Sequence, residues 1–324
     1  MRAVFRALTV VALCLTATSV FAQQSPLETK DKAVVQFDIN FDKITQSDLG
    51  KQLDLAGKMK NVPGVKTDDI DPSSISRLSG ALSLPDNIEA FQGLGPGADL
   101  PIEMFFQVQI SDSTTMAAAV AKMAEKSEEV SVGGKKFMKS TNETAPQGML
   151  VHEYDEKTIE MGTETYLTRA DREVFSDGLK KAWGVTPDHA IRLVVDVEGM
   201  PALKEQIIKQ VGQMAPQAIA YAELLDNINN LRISIDLDAK ELLTLAATGK
   251  DGEAAEEFAD GLDSLLMFAK LGIDPSTAPD DDAAAVMQQI GDALEANVEG
   301  SEVSIKIPHP DGLADVLKYT LPGF

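Results

Sequence analysis

The sequence predicts an α+β protein: antiparallel or mixed sheets with amphipathic helices packed on one face. Three observations lead there. Segments such as AVVQFDINF (Ala33 to Phe41) and IEMFFQVQI (Ile102 to Ile110) alternate in the manner of a strand with one wet face. Apolar stripes of helical period lie elsewhere. The clearest runs from Gly252 to Leu271, with Ala255, Phe258, Leu262, Leu265, Leu266 and Ala269 on one side. Between Val130 and Leu167 several short strand patterns follow one another, as in an antiparallel meander.

The elements can be justified in order. After the Ala33 to Phe41 strand, Leu49, Leu53 and Met59 give Thr45 to Lys60 a helical spacing. Asn61 to Pro72 and Pro85 to Pro101 are rich in Gly, Pro and Asp and read as loops, with a short helix predicted between them at Ser73 to Leu82. The Ile102 to Ile110 strand precedes Asp112, a good N-cap for a helix over Ser113 to Ser127. Val130 to Met138 turns at Gly133-Gly134 as a hairpin. Met149 to Tyr154, Thr158 to Met161 and Thr165 to Leu167 continue as strands. Thr168-Arg169-Ala170-Asp171 fits a capping box, opening a helix to about Trp183.

Beyond Pro187 the sequence predicts a strand at Ala190 to Val197 and a helix from Pro201 with Leu203, Ile207, Val211 and Met214 on one face. A further helix reaches about Asp226, and Leu231 to Leu237 and Glu241 to Thr248 form a hairpin. The Gly252 to Leu271 helix, a Pro/Asp linker to Asp282, a helix over Ala283 to Ala296, a strand through Val303, Ile305 and Ile307, and a short helix after Pro310 complete the chain. Three segments result: 1–22, 23–186 (an α+β half with the strand meander) and 187–324. The last has the element order of a ferredoxin-like, split β-α-β half.

Residues 1–22 carry the address. Arg2 and Arg6 precede an apolar run from Ala7 to Val20, and Val20-Phe21-Ala22 suits signal peptidase. The expectation is a cleaved signal peptide, a mature chain from Gln23, and a secreted or periplasmic location. The apolar run is shorter than the ~20 residues that span a bilayer, so no stable membrane insertion is expected after cleavage. Cleavage removes Cys14, the one cysteine. Disulfides, thiol catalysis and Cys-ligated zinc are thereby excluded from the mature chain, which must be held by burial alone.

Charge narrows the function classes. Lys and Arg number 29 against 51 acids, a net charge of −22, and loss of the leader with Arg2 and Arg6 deepens it by two. Nucleic acid is excluded as a partner, since its binding needs a cationic surface. Anionic membrane surfaces are disfavoured for the same reason.

No motif specifies catalysis or a cofactor. His152, His189 and His309 form no HxxxH or HExxH pair. His152 falls on the wet side of its strand, and the other two sit at strand ends. No G-x-S-x-G is present, and Gly300-Ser301 reads as a turn. Gly93-x-Gly95-x-Gly97 precedes a strand rather than a helix, so it is a connector and not a phosphate loop. Gly133-Gly134-Lys135-Lys136 lacks the Ser or Thr of a P-loop. Asp68, Asp69 and Asp71, and Asp280 to Asp282, are carboxylate-rich loops without the spacing of a calcium loop; weak calcium binding is the most they suggest. Glu253, Glu256, Glu257, Asp260 and Asp263 lie opposite an apolar stripe and read as a solvated face. Asn142-Glu143-Thr144 is a glycosylation sequon, and Trp183 is the one tryptophan. The sequence assigns no catalytic, cofactor or metal residue. It predicts a soluble exported protein with a non-catalytic binding or structural role, against two alternatives: an extracytoplasmic hydrolase, or a calcium-dependent adhesive or envelope protein.

Overall fold

A computed structural model describes residues 32–59, 74–84, 103–125, 127–132, 134–140, 149–168, 175–214 and 218–320. Residues 1–22, expected to be a signal peptide, most of the expected capping box, the acidic loop at Asp68 to Asp71, the Gly93 to Gly97 connector and the sequon lie outside them.

The described strands are β1 (Val35–Asn40), β2 (Ile75–Ser83), β3 (Glu103–Ile110), β4 (Ser127–Val132), β5 (Lys135–Ser140), β6 (Met149–Asp155), β7 (Thr158–Thr163), β8 (Ile191–Asp196), β9 (Ile228–Ile235), β10 (Glu241–Gly249), β11 (Asn297–Glu299) and β12 (Glu302–Pro308). The helices are α1 (Phe41–Gln46), α2 (Asp48–Gln52), α3 (Leu55–Met59), α4 (Ser113–Glu125), α5 (Glu164–Thr168), α6 (Asp177–Val185), α7 (Pro201–Met214), α8 (Ile219–Glu223), α9 (Gly252–Leu271), α10 (Asp281–Asp292) and α11 (Leu313–Thr320).

The strands form a 12-stranded sheet in the order β11-β12-β10-β9-β8-β1-β2-β3-β7-β6-β5-β4. Every ladder between named strands is antiparallel, so the α+β class holds. In the second half β8, β9, β10 and β12 are neighbours in chain order. A split β-α-β unit would set two strands parallel around a third; here β8 and β9 pair directly and antiparallel instead. Pairing of β1 with β8 carries the sheet from one half of the chain into the other.

Register sorts the side chains into rows. One row reads Ile305, Leu245, Ile233, Leu193, Phe37, Gly80, Phe106, Met161, Val151 and Met138, one residue per strand. The adjacent row, on the opposite face, reads Lys306, Thr244, Ser234, Arg192, Asp38, Ser79, Gln107, Glu160 and His152. Period-two alternation therefore builds an apolar face and a polar face across nearly the whole sheet.

The apolar face is covered at both ends. Ile305 and Ile307 pack with α10 (Val286, Met287) and α11 (Leu313, Val316). Val303 and Ala247 meet α9 through Ala255, Phe258 and Ala259. Val108, Ile110 and Ile159 meet Met116 of α4. Side chains of this kind each contribute about 1.5–3 kcal/mol on full burial. Helices are not confined to this face, contrary to the sequence expectation. Ala81, Val194 and Phe105 interrupt the polar face with apolar surface, and Leu179 and Ala182 of α6 pack there. Leu167 of α5 joins Phe137 and Leu150 on the same face.

Three local expectations are corrected. Where Ser73 to Leu82 predicts a helix, the described residues from Ile75 form strand β2: Leu78, Gly80 and Leu82 alternate with Arg77, Ser79 and Ala81, and the small residues hide the alternation. Thr165 to Leu167 is helical, within α5. The helix assigned to start at the capping box begins at Asp177, where Ser176 Oγ accepts from the Leu179 N–H at 3.0 Å. The hairpin at Gly133-Gly134 is present between β4 and β5, with Gly134 at φ 80°.

Candidate functional site

Among the described residues the polar face carries a cluster of charges centred on β1. Asp38, on β1, has a side chain only 1% exposed. Arg77 of β2 grips it with two bonds, Nε to Oδ1 at 2.6 Å and Nη2 to Oδ2 at 2.9 Å. Arg192 of β8 donates to Oδ2 from the other side at 3.2 Å. The Arg192 guanidinium also lies 4.1 Å from the Trp183 ring of α6, a cation–π contact. At the strand ends Asp188 Oδ1 stands 3.6 Å from Nη2 of both arginines. Lys43 of α1 donates to the Asp188 carbonyl oxygen at 2.6 Å and lies 3.3 Å from its Oδ2.

These contacts set the electrostatics. The hydrogen bond from Arg77 to Asp38, with the charges of Asp38 and Asp188, outweighs burial and raises the Arg77 guanidinium above its ordinary range. Partial burial pushes the Asp188 carboxyl up, but the hydrogen bond and charge of Lys43, with Arg192 and Arg77, overcome it and leave Asp188 below the usual carboxylate range. One strand further, Arg232 of β9 is 7% exposed and sits 2.7 Å from Glu302 Oε2. Among the described residues neither Arg192 Nε nor Arg232 Nε has a hydrogen-bond acceptor. With both oxygens of Asp38 held by guanidinium groups, the cluster acts as a clamp across β2, β1 and β8 rather than as an acid–base pair.

The candidates read from sequence separate in space. His152 lies on β6, its Nδ1 3.2 Å from the Lys136 carbonyl oxygen and its ring 5.3 Å from that of Phe137. His189 Nε2 is 3.9 Å from Asp236 Oδ2, and the His309 N–H bonds to the Lys240 carbonyl oxygen at 2.8 Å. The last two thus border the β9–β10 turn, several strands from His152. Asp280 caps α10, its Oδ1 accepting from the Ala283 N–H at 2.8 Å. Among the described residues no group of three or more His, Cys, Asp or Glu side chains is placed to hold a metal ion. Among them too, no helix is long and apolar enough to cross a membrane.

The remaining feature is α9. Asp251 caps it, Oδ1 accepting from the Ala254 N–H at 2.9 Å, and Ala255, Phe258 and Ala259 bury its inner side. Its outer side changes character along its length. At 100° per residue, Glu253, Glu256, Glu257, Asp260, Ser264, Met267, Phe268 and Leu271 share one arc of about 120°. All are exposed, and the apolar ones heavily: Met267 64%, Phe268 65% and Leu271 77%, with Leu265 at the margin at 38%. The sequence pattern marks Glu253, Glu256, Glu257, Asp260 and Asp263 as a solvated face and leaves the residues beyond Ser264 on that side unassigned. Carrying the same rotation past Ser264 would have found the apolar half.

Comparison with known proteins adds little. No family model matches the chain. No curated protein matches it either. Among solved structures it is similar to three crystal forms of the protein TP0453. Form III is 12% identical over 92% of this chain and 99% of that one, with a TM-score of 0.43. Form I is 10% identical over 92% and 98%, and form IV 11% identical over 91% and 97%, each with a TM-score of 0.38. Likenesses this distant name no family.

Proposed function

We propose that this is a secreted or periplasmic protein with a non-catalytic binding role, and that the C-terminal half of α9 is the surface that holds its partner. The observation that carries the reading is the contiguous exposure of Met267, Phe268 and Leu271, where helix surface is ordinarily polar. Contiguous apolar surface on a soluble chain marks a place of contact. The arrangement behind it supports the role: on the inner side of the same half of α9, Leu262, Leu266 and Ala269 pack against the core cluster that includes Ile305 and Ile307 of β12. The leader at residues 1–22 supports export. Neither the separated histidines nor the arginine-held Asp38 supports the hydrolase alternative.

A fluorescent apolar probe tests the reading on the full chain. The native protein is expected to enhance its emission, and the triple variant Met267→Ser, Phe268→Ser, Leu271→Ser to lose most of that signal while keeping its circular dichroism. Equal emission from the two proteins would remove the reading.

A further inference from the structure

The outer side of α9 also says what kind of partner fits it, an inference that rests on the binding reading above. Its first two turns present Glu253, Glu256, Glu257 and Asp260, and its last two present Met267, Phe268 and Leu271. We infer that the partner is a basic amphipathic helix of another protein, with lysine or arginine toward one end and apolar anchors toward the other, laid along α9.

Area favours an occupant that takes in both halves. Large apolar side chains offer about 150–250 Å² apiece when bare. Those at Leu265, Met267, Phe268 and Leu271, at their fractional exposures, present on the order of 400 Å². A stable interface buries about 800 Å² a side. An occupant that follows the helix gains the missing area by continuing onto the acidic turns, and a cationic segment pairs the carboxylates it covers there.

The same pattern argues against other occupants. A second copy of the chain in antiparallel pairing would press the acids of one α9 onto Phe268 and Leu271 of the other. Parallel pairing would set acid against acid. A bilayer would have to accept the carboxylates of the first turns at its surface, and anionic lipid would repel a chain of net charge −22. A basic helix is met by opposite charge first and then by apolar contact, the order that favours fast and selective capture.

The test uses the full chain and two synthetic helical peptides of one length. One carries Lys in its first two turns and Leu or Phe in its last two; the other is identical except that Glu replaces each Lys. Calorimetric titration is expected to show the Lys peptide binding at least tenfold more tightly than the Glu peptide. Phe268→Ser is expected to weaken it about 30-fold, the size of a hot-spot loss. The double variant Glu257→Gln, Asp260→Asn is expected to weaken it less and to flatten its dependence on salt. Equal binding of the two peptides overturns the inference. So does preferential binding to phosphatidylcholine vesicles, or self-association in sedimentation that Phe268→Ser abolishes. If neither peptide binds while the apolar probe still depends on Phe268, the partner class is wrong and the binding surface stands.

Discussion

Removing the buried carboxylate of Asp38 would leave Arg77 and Arg192 facing each other with only the more exposed Asp188, 3.6 Å from each, as counter-charge. Breaking one partner out of a buried ion cluster costs about 3–5 kcal/mol. Asp38→Ala is therefore expected to lower the free energy of urea unfolding by that amount, whereas Lys43→Ala, at a mostly exposed pair, should cost under about 1 kcal/mol. The Phe37 and Phe106 rings meet 5.9 Å apart over Gly80. A Cβ at Gly80 would lie 2.7 Å from Phe37 Cζ and 2.7 Å from the Phe105 carbonyl oxygen. Gly80→Ala should cost about 1–3 kcal/mol in the same measurement, the range for overpacking. Asp188 supplies a pH dependence. Its carboxyl is held below the usual range, so the folded chain binds that proton less readily than the unfolded one. The stability it lends is present above the unfolded value of about 3.9 and is lost as the pH falls. The stability gap between the native protein and Asp188→Asn, read by urea titration, should therefore shrink between pH 7 and pH 3. None of these contacts was legible in the sequence, because Arg77 and Arg192 stand 39 and 154 residues from Asp38. What the sequence did offer was scarcity: the chain has seven arginines, and Arg77, Arg192 and Arg232 all occupy the central strands.

Helix α9 shows how much of an element can be read from pattern, and where that stops. Its limits and the inward facing of Ala255 and Phe258 follow directly from spacing, whereas Leu265, which the spacing puts on the same stripe, is 38% exposed. The distinction between Phe258 and Phe268 follows only when the rotation is carried round the whole helix. The two phenylalanines should then behave oppositely on mutation. Phe258→Ala, at a site 8% exposed, is expected to cost about 3–5 kcal/mol, while Phe268→Ser should change stability by less than about 0.5 kcal/mol. Thermal unfolding of the two variants checks this; a large loss at Phe268 would mean that its ring is packed in the folded chain. Strand β2 marks the opposite case. Ser76, Ser79, Gly80 and Ala81 are too small to declare which side they face, and the helical reading failed for want of bulky alternating side chains.

Because β1 pairs with β8, the strands before and after residue 187 belong to a common ladder. Unfolding either half would strip the other of a long row of backbone hydrogen bonds. A single cooperative transition is therefore expected, with tryptophan fluorescence at Trp183 and far-ultraviolet circular dichroism giving the same midpoint. Two separated midpoints would show that the halves melt independently. The strand-by-strand alternation that foretold an α+β fold says nothing of lateral order, which depends on which strands find each other across long loops. That is why the sheet class and the β9–β10 hairpin were legible, while the direct pairing of β8 with β9 and of β10 with β12 was not.

The two rows that flank Phe37 and Asp38 carry one more consequence. Should any central strand slip by a single position while zipping up, a guanidinium would be thrust among leucines and a leucine dropped among carboxylates. Such an alignment buries charge and exposes apolar surface, so the observed register is strongly preferred. For a polypeptide with no covalent staple, matching by polarity thus singles out odd-numbered slips of the hairpins as energetically unfavourable.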